Sequence, residues 1–213
     1  ELAKRRPSGR MRLNVCCDGS EGRERSARYA GELFRAIFQQ NGISVASLGG
    51  RATTPANAQL FYMHASSQNL SEISAALMHS SSNFIANLIF LQAGAKRKGY
   101  PATWQKARAV MQEELEVLLG AELAQTIRVV EGSGLSRESR TNARTMLTLL
   151  QRFRPYRAAL RQQNGIARKS GTLTGVYNLA GYLPNGRAYV IMLNQSKNTR
   201  DSVLARLEQK YGR

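Results

Sequence analysis

The chain has 213 residues, 42% of them hydrophobic, which suits a folded chain of one large domain or two small ones. It contains no apolar run of about 18 residues or more, so the sequence predicts no transmembrane helix. Its charge is unusual, because 31 Lys and Arg against 14 Asp and Glu give a formal net charge of +17. Such a balance favours anionic partners.

Nucleic acid, an anionic cell envelope and a merely solvated basic surface remain as alternatives. The basic residues are scattered, apart from Lys4-Arg5-Arg6 and "AKRKG" at residues 95–99. Neither cluster is accompanied by zinc-finger spacing or by the aromatic pattern of an RNA-recognition domain, so nucleic acid is the less favoured partner. The two cysteines, Cys16 and Cys17, are adjacent. They have no metal-ligand spacing, and we expect no disulfide between them and no cofactor.

The first 64 residues predict few regular elements. Alternation in "MRLNVCC" predicts a strand over residues 11–17, and "DGSEGR" at residues 18–23 predicts a loop. An amphipathic pattern predicts a helix over residues 26–40, with Gly42 as its stop signal. Residues 43–48 are short and apolar, which is typical of a strand. The chain does not begin with Met and has no apolar signal region, so we expect a mature form or a fragment.

Helices dominate the middle of the sequence. Asn69-Leu70-Ser71-Glu72 has the form of a capping box before a short helix that ends near Met78. After "HSSSN", the segment "FIANLIFLQAGA" is apolar almost all round, which predicts a buried helix. A further helix is expected over residues 101–119.

Strands and turns become frequent toward the C-terminus. We predict a strand at residues 126–130, a glycine-hinged turn in "EGSGLSR" and a helix at residues 142–153. Asn164-Gly165 is a turn sequence before the strand that begins near Lys169. A strand at residues 179–183 follows, then Pro184-Asn185-Gly186 as a hairpin turn, a strand at residues 188–193 and a closing helix at residues 199–211. This order predicts an α+β or mixed α/β fold, a mainly antiparallel sheet with helices on its faces.

Three short segments carry residues suited to chemistry. They are Ser81-Ser82-Asn83 at a helix start, Lys169-Ser170-Gly171-Thr172 at a strand start, and "EGSGLSR" from Glu131. Each has an ordinary structural alternative, since a serine-rich helix start is usually a cap and a glycine-rich turn is usually only a turn. In this order, however, the first two match the S-x-N and K-[ST]-G elements of serine enzymes that react with penicillin.

The surrounding sequence resembles one family. "HSSSNFIANLIF", "EGSGLSRES" and "KSGTLTGVYNLAGYL" are similar to segments of the penicillin-binding protein 4 type D-alanyl-D-alanine carboxypeptidase/endopeptidase family, from about residue 29 to the end. The resemblance implies a β-lactamase/transpeptidase-like fold that lacks its N-terminal part. We therefore expect residues 1–25 to end an inserted domain and residues 26–213 to form the C-terminal portion of the penicillin-binding domain.

The same resemblance implies an exported, periplasmic serine peptidase. Such a hydrolase cuts the amide after D-alanine in peptidoglycan stem peptides through an acyl-enzyme, and it binds β-lactam antibiotics covalently. Stem peptides and β-lactams are the expected partners. An anionic envelope surface is a further one, and nucleic acid is not expected.

The family pattern also implies roles for six residues. Ser81 would help to pass a proton to the leaving amine, Asn83 would contact the substrate amide, and Lys169 would place a cation in the cleft. The substrate-binding residues would be Ser170 for the terminal carboxylate, Gly171 for close approach, and Thr172, whose N–H would form half of an oxyanion hole. The peptide would join the sheet edge as an extra strand.

The sequence departs from the family pattern in one important respect. The family's nucleophile motif is S-x-x-K, and none of the seven lysines has a serine three positions earlier. Thr103 to Lys106 is the nearest approximation, but it follows the S-x-N element. We therefore expect the chain alone to be inactive, and an inactive wall-peptide-binding or structural fragment is the alternative. Smaller departures are Ser170, where Thr is usual, and Glu131, where Asp is usual.

Overall fold

The computed structural model describes residues 20–50 and 52–212, and for residues 20–26 it describes only the helical backbone. The chain divides into two compact units, Glu1–His64 and Ala65–Arg213. The strand predicted at residues 11–17, the Cys16-Cys17 pair and the basic cluster at Lys4-Arg5-Arg6 lie outside the described residues. The domain boundary after residue 25 stays a prediction.

The first unit contains one long helix, α1 (Ser20–Gln40). The helix predicted at residues 26–40 is confirmed, but it begins six residues earlier, so the loop predicted at residues 18–23 is wrong from Ser20 onward. The helix ends as expected beside Gly42, whose φ of 76° lies in the left-handed region that favours glycine.

The strand predicted at residues 43–48 is wrong. No described segment pairs with it, and an extended backbone needs such a partner to satisfy its N–H and C=O groups. The segment instead runs beside α1. The side chain of Leu48 lies 3.4 Å from the ideal Cβ position of Gly31, and Arg35 Nη2 donates to the Ala46 carbonyl over 3.5 Å.

The second unit begins with two consecutive helices, α2 (Leu70–Ser80) and α3 (Asn83–Lys98). The predicted capping box is confirmed: Asn69 Oδ1 accepts from Glu72 N at 3.0 Å, and Glu72 Oε2 accepts from Asn69 N at 2.9 Å. The prediction of a buried helix after "HSSSN" holds for only part of α3. Phe90 is buried in α3, whereas Phe84 is 68% exposed and Leu88 is 42% exposed.

Helix α3 packs against α4 (Trp104–Leu119), which is followed by the single turn α5 (Ala121–Ala124). The helix predicted at residues 101–119 therefore begins three residues later, after its N-cap Thr103. The two backbones touch at Gly94, where an added Cβ would overlap the backbone nitrogen of Ala107. Ion pairs join the last turn of α3 to the middle of α4, among them Arg97 to Glu114 at 3.1 Å.

A four-stranded antiparallel sheet follows, in the order β1-β2-β3-β4. The strands are β1 (Arg161–Gln163), β2 (Ile166–Leu173), β3 (Val176–Tyr182) and β4 (Ala188–Asn194). The predicted turns at Asn164-Gly165 and Pro184-Asn185-Gly186 are confirmed, with positive φ at Asn164, Gly165 and Gly186. The strand predicted at residues 126–130 is reduced to one bridge between Arg128 and Arg140.

Helices cover both faces of the sheet. On one face, α7 (Arg200–Tyr211) contributes Leu204 to a core that also includes Ile166, Leu179, Leu183, Tyr189 and Ile191. On the other face, α6 (Ala143–Phe153) and the 3-10 helix Arg154–Ala159 cover a second core of Leu150, Leu160, Ala167 and Tyr182. The predicted antiparallel sheet flanked by helices is confirmed. No helix in the described part of the chain is long and apolar enough to span a bilayer.

Candidate active site

Ser81 lies at the junction between α2 and α3. It is the C-cap of α2, with its N–H on the Leu77 carbonyl at 2.8 Å, and the following Ser82 is the N-cap of α3. Ser81 has φ 52° and ψ 46°, a left-handed conformation that is costly for a residue with a Cβ. The turn between the helices thus holds one exposed serine in a strained position. Asn83, the first residue of α3, is also exposed.

Lys169 reaches this junction from the sheet. Strand alternation places it on the same face as Ala167, whose buried side chain packs with the α6 core. Its Nζ donates to Ser81 Oγ at 2.6 Å and to the Ser170 carbonyl at 3.0 Å. Burial lowers the pKa of Lys169 from its usual 10.5. Two residues that are 88 positions apart in the sequence therefore share one hydrogen bond.

The strand that carries Lys169 changes character along its length. In its first part, Ile166, Ala167 and Arg168 pair with β1 on one side, and Ala167 and Arg168 also pair with β3 on the other. From Lys169 to Leu173 it pairs only with β3 within the described residues. Ser170, Gly171 and Thr172 are exposed there. An unpaired edge of this kind presents N–H and C=O groups to which an extended peptide can bind.

Gly171 does not serve the packing of the protein itself. An added Cβ would meet only Asn178 Cβ, at the ordinary contact distance of 3.8 Å, and its φ lies outside the left-handed region. Gly181 on the adjacent strand is the opposite case, because a Cβ there would overlap the carbonyl oxygen of Ala167. The folded chain therefore requires a glycine at position 181, whereas position 171 has room for a side chain.

The "EGSGLSR" segment forms a tight turn around Glu131. The carboxylate accepts from Ser133 N at 2.7 Å, from the Ser133 hydroxyl, and from Ser136 N at 3.1 Å. Burial would raise the pKa of Glu131, but hydrogen bonds from Ser133, Ser136 and Gly134 together outweigh it, so the pKa lies below 4.5. Glu131 thus holds the turn.

Asn87 fixes this turn against α3, and no local pattern pointed to it. Its Oδ1 accepts from Gly132 N at 2.8 Å and from Ser133 N at 3.1 Å. Gly132 lies so close to α3 that an added Cβ would overlap the carbonyl of Ala86. The helix that begins at the Ser81 junction is therefore joined to the glycine-rich turn, which adds rigidity to one side of the site.

Arg200 is a second residue that sequence reasoning missed. It is the first residue of α7, and its Nη1 donates to Thr172 Oγ1 at 2.8 Å. The same nitrogen lies 3.4 Å from the Gly171 carbonyl oxygen and 3.5 Å from that of Asn178. Its position beside the strand depends on how α7 packs on the sheet, so nothing in the neighbouring sequence marks it.

A pocket of about 470 Å³ lies elsewhere, at the β4 side of the sheet between α6 and α7. Its lining is largely apolar and includes Leu147, Tyr189 and Leu207, with Arg144 and Arg187 also present. None of the six predicted site residues lines it. The contact between Ser81 and Lys169, rather than this pocket, is therefore the candidate site.

The sheet is antiparallel and flanked by helices, and a lysine on one strand faces a serine at a helix junction, an arrangement that suits the penicillin-recognising serine peptidase fold. The sequence matches the D-Ala-D-Ala carboxypeptidase 3 (S13) family over residues 22–162, well over half of the chain. The chain belongs to this family, so the resemblance on which the predictions rested is confirmed.

Individual relatives agree with this assignment. The chain is 25% identical over 194 residues to D-alanyl-D-alanine carboxypeptidase DacB of Haemophilus influenzae, covering 80% of this chain and 40% of that protein. It is 29% identical over 188 residues to the D-alanyl-D-alanine carboxypeptidase of Actinomadura sp. strain R39, covering 74% and 34% respectively. The chain thus spans less than half the length of these relatives.

A solved structure shares the fold. Penicillin binding protein 4 (dacB) from Haemophilus influenzae, determined in complex with a novel beta-lactam, superposes with a TM-score of 0.62 at 22% identity. The match covers 85% of this chain and 49% of that one.

Proposed function

We propose that this chain is part of a serine-type D-Ala-D-Ala carboxypeptidase/endopeptidase that cuts peptidoglycan stem peptides through an acyl-enzyme. The observation that carries the proposal is the 2.6 Å contact between Lys169 Nζ and Ser81 Oγ. It joins the S-x-N and K-S-G elements at one place beside an open strand edge. Membership of the D-Ala-D-Ala carboxypeptidase family supports the reaction class.

The proposal assigns the attacking serine to residues outside this sequence. Acyl transfer of this type needs a serine hydroxyl with a lysine close enough to take its proton. No lysine among the 213 residues has a serine three positions earlier, so the S-x-x-K pair must be supplied from elsewhere. The chain alone should then bind peptide without being acylated.

Ser81 acts in this proposal as a proton relay. An ammonium group can only donate, so Ser81 Oγ accepts from Lys169 and its own O–H is directed elsewhere. When the amide breaks, Ser81 gives that proton to the leaving amine nitrogen and takes one from Lys169. The lowered pKa of Lys169 favours this transfer, because a partly buried ammonium releases its proton more readily.

The remaining predicted residues bind the substrate. Asn83, exposed two positions after Ser81, would donate to a substrate carbonyl, and Ser170 would donate to the terminal carboxylate. Gly171 would let the peptide lie against the open edge of β2. Thr172 N–H would face the carbonyl oxygen on which negative charge develops. The space for a side chain at position 171 supports this role, since the protein's own packing does not demand glycine there.

The partners follow from the same proposal. Stem peptides would be substrates, and β-lactams would react in their place and remain attached to the nucleophile. Work on the cell wall implies export to the periplasm. The net charge of +17 suits an anionic envelope surface, whereas no specific feature supports nucleic acid.

A second candidate is a catalytically inactive fragment that binds wall peptides or has a structural role. The absence of S-x-x-K from the sequence is the observation in its favour. Fluorescent penicillin separates the two, with this chain and the natural full-length gene product labelled side by side and analysed by denaturing gel. The proposal predicts a covalent label on the full-length product alone. A full-length product that stays unlabelled would favour the inactive alternative.

A further inference from the structure

Two arginines of the 3-10 helix converge at the turn between β3 and β4. The Nη1 atoms of Arg154 and Arg157 each lie 3.9 Å from the ideal Cβ position of Gly186, so both guanidinium groups reach the same point of the turn. Burial raises the pKa of Tyr182, and the charges of Arg154 and Arg157 partly oppose that rise, so both cations also lie near the Tyr182 hydroxyl. Arg187, the residue after Gly186, adds a third exposed cation. We call these three arginines the arginine patch.

The charges of the arginine patch are not balanced by acidic side chains. None of its three members forms an ion pair in the part of the chain that the structure describes. The sequence has no Asp or Glu between Glu138 and Asp201, so α6, the 3-10 helix and the four strands contain no carboxylate side chain that could pair with them. Like charges that lie close together repel one another, and an anion beside them would relieve that repulsion. The patch is thus suited to an anionic partner.

An exposed aromatic ring lies in the same segment as two of these arginines. Tyr156 is 66% exposed, and its ring lies 5.8 Å from that of Phe153 between centroids. Arg154 and Arg157 lie on either side of it in the sequence. Tyrosine is enriched where a bilayer meets water, and clustered arginines bind anionic lipid headgroups. A soluble phosphate polymer would attract the arginines but would leave the ring exposed, so the combination favours a bilayer surface.

The arginine patch and the candidate site lie toward opposite ends of the sheet. Strand β2 begins at Ile166, and β3 ends at Tyr182, just before the turn that carries the patch. The open edge, Ser170 to Thr172, lies toward the other end of β2. At about 3.3 Å per residue, Thr172 is roughly 17 Å along the strand from Ala167, the residue that pairs with Tyr182. A surface bound at the patch would therefore leave the open edge of β2 accessible.

We propose that Arg154, Arg157 and Arg187, together with Tyr156, bind the surface of an anionic phospholipid bilayer. The arginines bind lipid phosphates, and the Tyr156 ring lies at the level of the headgroups. Binding does not depend on the proposed catalysis, because no residue of the arginine patch belongs to the candidate site. Its consequence rests on the proposed function: a chain held in this way directs the peptide-binding edge of β2 away from the bilayer and toward the wall.

Co-sedimentation of the 213-residue chain with vesicles tests the proposal. The vesicles contain phosphatidylglycerol and phosphatidylcholine in equal amounts, or phosphatidylcholine alone, at about 0.1 M salt. We expect binding to the anionic vesicles only. Arg154→Gln combined with Arg157→Gln should lower the partition coefficient about thirtyfold, since each arginine near an anionic surface contributes about fivefold. Tyr156→Ser keeps the charge and should lower it roughly threefold, because the ring no longer reaches the headgroups.

Lys96→Gln combined with Lys197→Gln provides the matched control, because it removes two charges elsewhere. Both lysines are exposed, and neither side chain has a hydrogen bond or ion pair among the described residues. Since the chain has a net charge of +17, this variant measures general attraction, which should fall by no more than about threefold. Thermal unfolding checks the fold of each variant. Arg187→Gln, with an expected loss of about fivefold, provides the decisive comparison if the double arginine variant is unstable.

Several results would overturn the proposal. Equal losses in the two double variants, or equal binding to both kinds of vesicle, would contradict it. Unchanged binding of Tyr156→Ser would point to a soluble polyanion instead. Release of the chain by sodium phosphate, but not by sodium chloride of equal ionic strength, would indicate a site for free phosphate. Penicillin labelling of the full-length product is a separate measurement, so a failure of vesicle binding leaves the proposed function standing.

Discussion

Ser81 is held in a conformation that its side chain disfavours. At φ 52° and ψ 46° its Cβ is crowded by its own backbone, at a cost of about 1 kcal/mol or more relative to glycine. Glycine is the usual residue at such a helix C-cap. A serine at this position, despite its cost, is consistent with a functional role, because its Oγ is the group that Lys169 contacts at 2.6 Å.

Two substitutions at this position should separate the backbone strain of Ser81 from the catalytic role of its hydroxyl. Ser81→Gly should be about 1 kcal/mol more stable than Ser81→Ala, since both lack the hydroxyl and only glycine avoids the left-handed penalty. Urea unfolding of the chain measures the difference. In the full-length product, both variants should react with penicillin on the order of a hundredfold more slowly, as expected for loss of a proton relay. Equal stability of the two variants would contradict the strain argument.

Glu131 stabilises its turn only while it is ionised. Its pKa is lowered on folding, so its contribution is present above pH 4.5 and is lost as the pH falls through the lower folded value. Glu131→Gln replaces one accepting oxygen by an NH₂ group that faces a donor. We expect a loss of about 1 kcal/mol at pH 7, at the low end for charged hydrogen bonds because the carboxylate is only partly buried.

Urea unfolding at pH 7 and below pH 4 measures this effect, and the difference from wild type should shrink at the lower pH. Glu138→Gln is the matched control, because Glu138 belongs to the same segment but forms an exposed ion pair with Arg128. Its substitution should change stability by only a few tenths of a kcal/mol, roughly the value of a surface pair. Equal effects of the two substitutions would remove the role assigned to Glu131.

At the scale of elements, the first half of β2 is buried in the core and the second half is largely exposed. Ile166 and Ala167 are buried, and Ala167 is paired on both sides, whereas Ser170 to Thr172 are exposed and paired only with β3 among the described strands. The buried half fixes the register of the strand, since a slip of one residue would exchange the cores into which Ile166 and Ala167 pack. The register in turn points Lys169 toward Ser81.

Substitution of two glycines, Gly181 on β3 and Gly171 on β2, tests this difference between the buried and the exposed half of β2. Gly181→Ala would drive a Cβ into the Ala167 carbonyl and should cost about 3 kcal/mol, as for overpacked cores, with displacement of β2. Gly171→Ala has space for its methyl group and should stay within about 0.5 kcal/mol of wild type. Yet it should weaken binding of L-Lys-D-Ala-D-Ala, because the methyl group faces the place of the peptide. Calorimetric unfolding and NMR titration report both effects, and unchanged binding by Gly171→Ala would refute its role.

The elements that the sequence predicted correctly are those with local causes. The Asn69 capping box and the Asn164-Gly165 turn depend on neighbours a few residues away. Residues 43–48 and 126–130 were predicted as strands from apolar pattern alone, but a strand also requires a partner that the pattern does not show. The exposure of Phe84 and Leu88 likewise depends on what packs against α3, so periodicity alone could not reveal it.

For the whole molecule, the sequence predicted the two residues that meet in the site but not the residues that hold the surrounding elements in place. Resemblance to the family named Ser81 and Lys169, which the fold brings into contact. Asn87 and Arg200 act over 45 and 28 residues of sequence, through the positions of whole helices. No spacing rule links such residues, because their neighbours are decided by helix packing.

Charge is distributed unevenly along the chain. No acidic residue occurs between Glu138 and Asp201. This stretch contains all four strands of the sheet, including Lys169 and Thr172. A positive potential over this region would raise the local concentration of anionic peptides at the edge of β2. With the proposed function, the overall charge of +17 would favour both anionic peptides at this edge and an anionic envelope surface.

The central claim is that Lys169 belongs to the acylation site of a D-Ala-D-Ala peptidase. The most direct measurement is the rate of covalent labelling of the full-length product by fluorescent penicillin, in wild type and in Lys169→Met. The account predicts a rate at least about tenfold lower in the variant, because the cation that contacts Ser81 is lost. An unchanged rate in a folded Lys169→Met protein would contradict it.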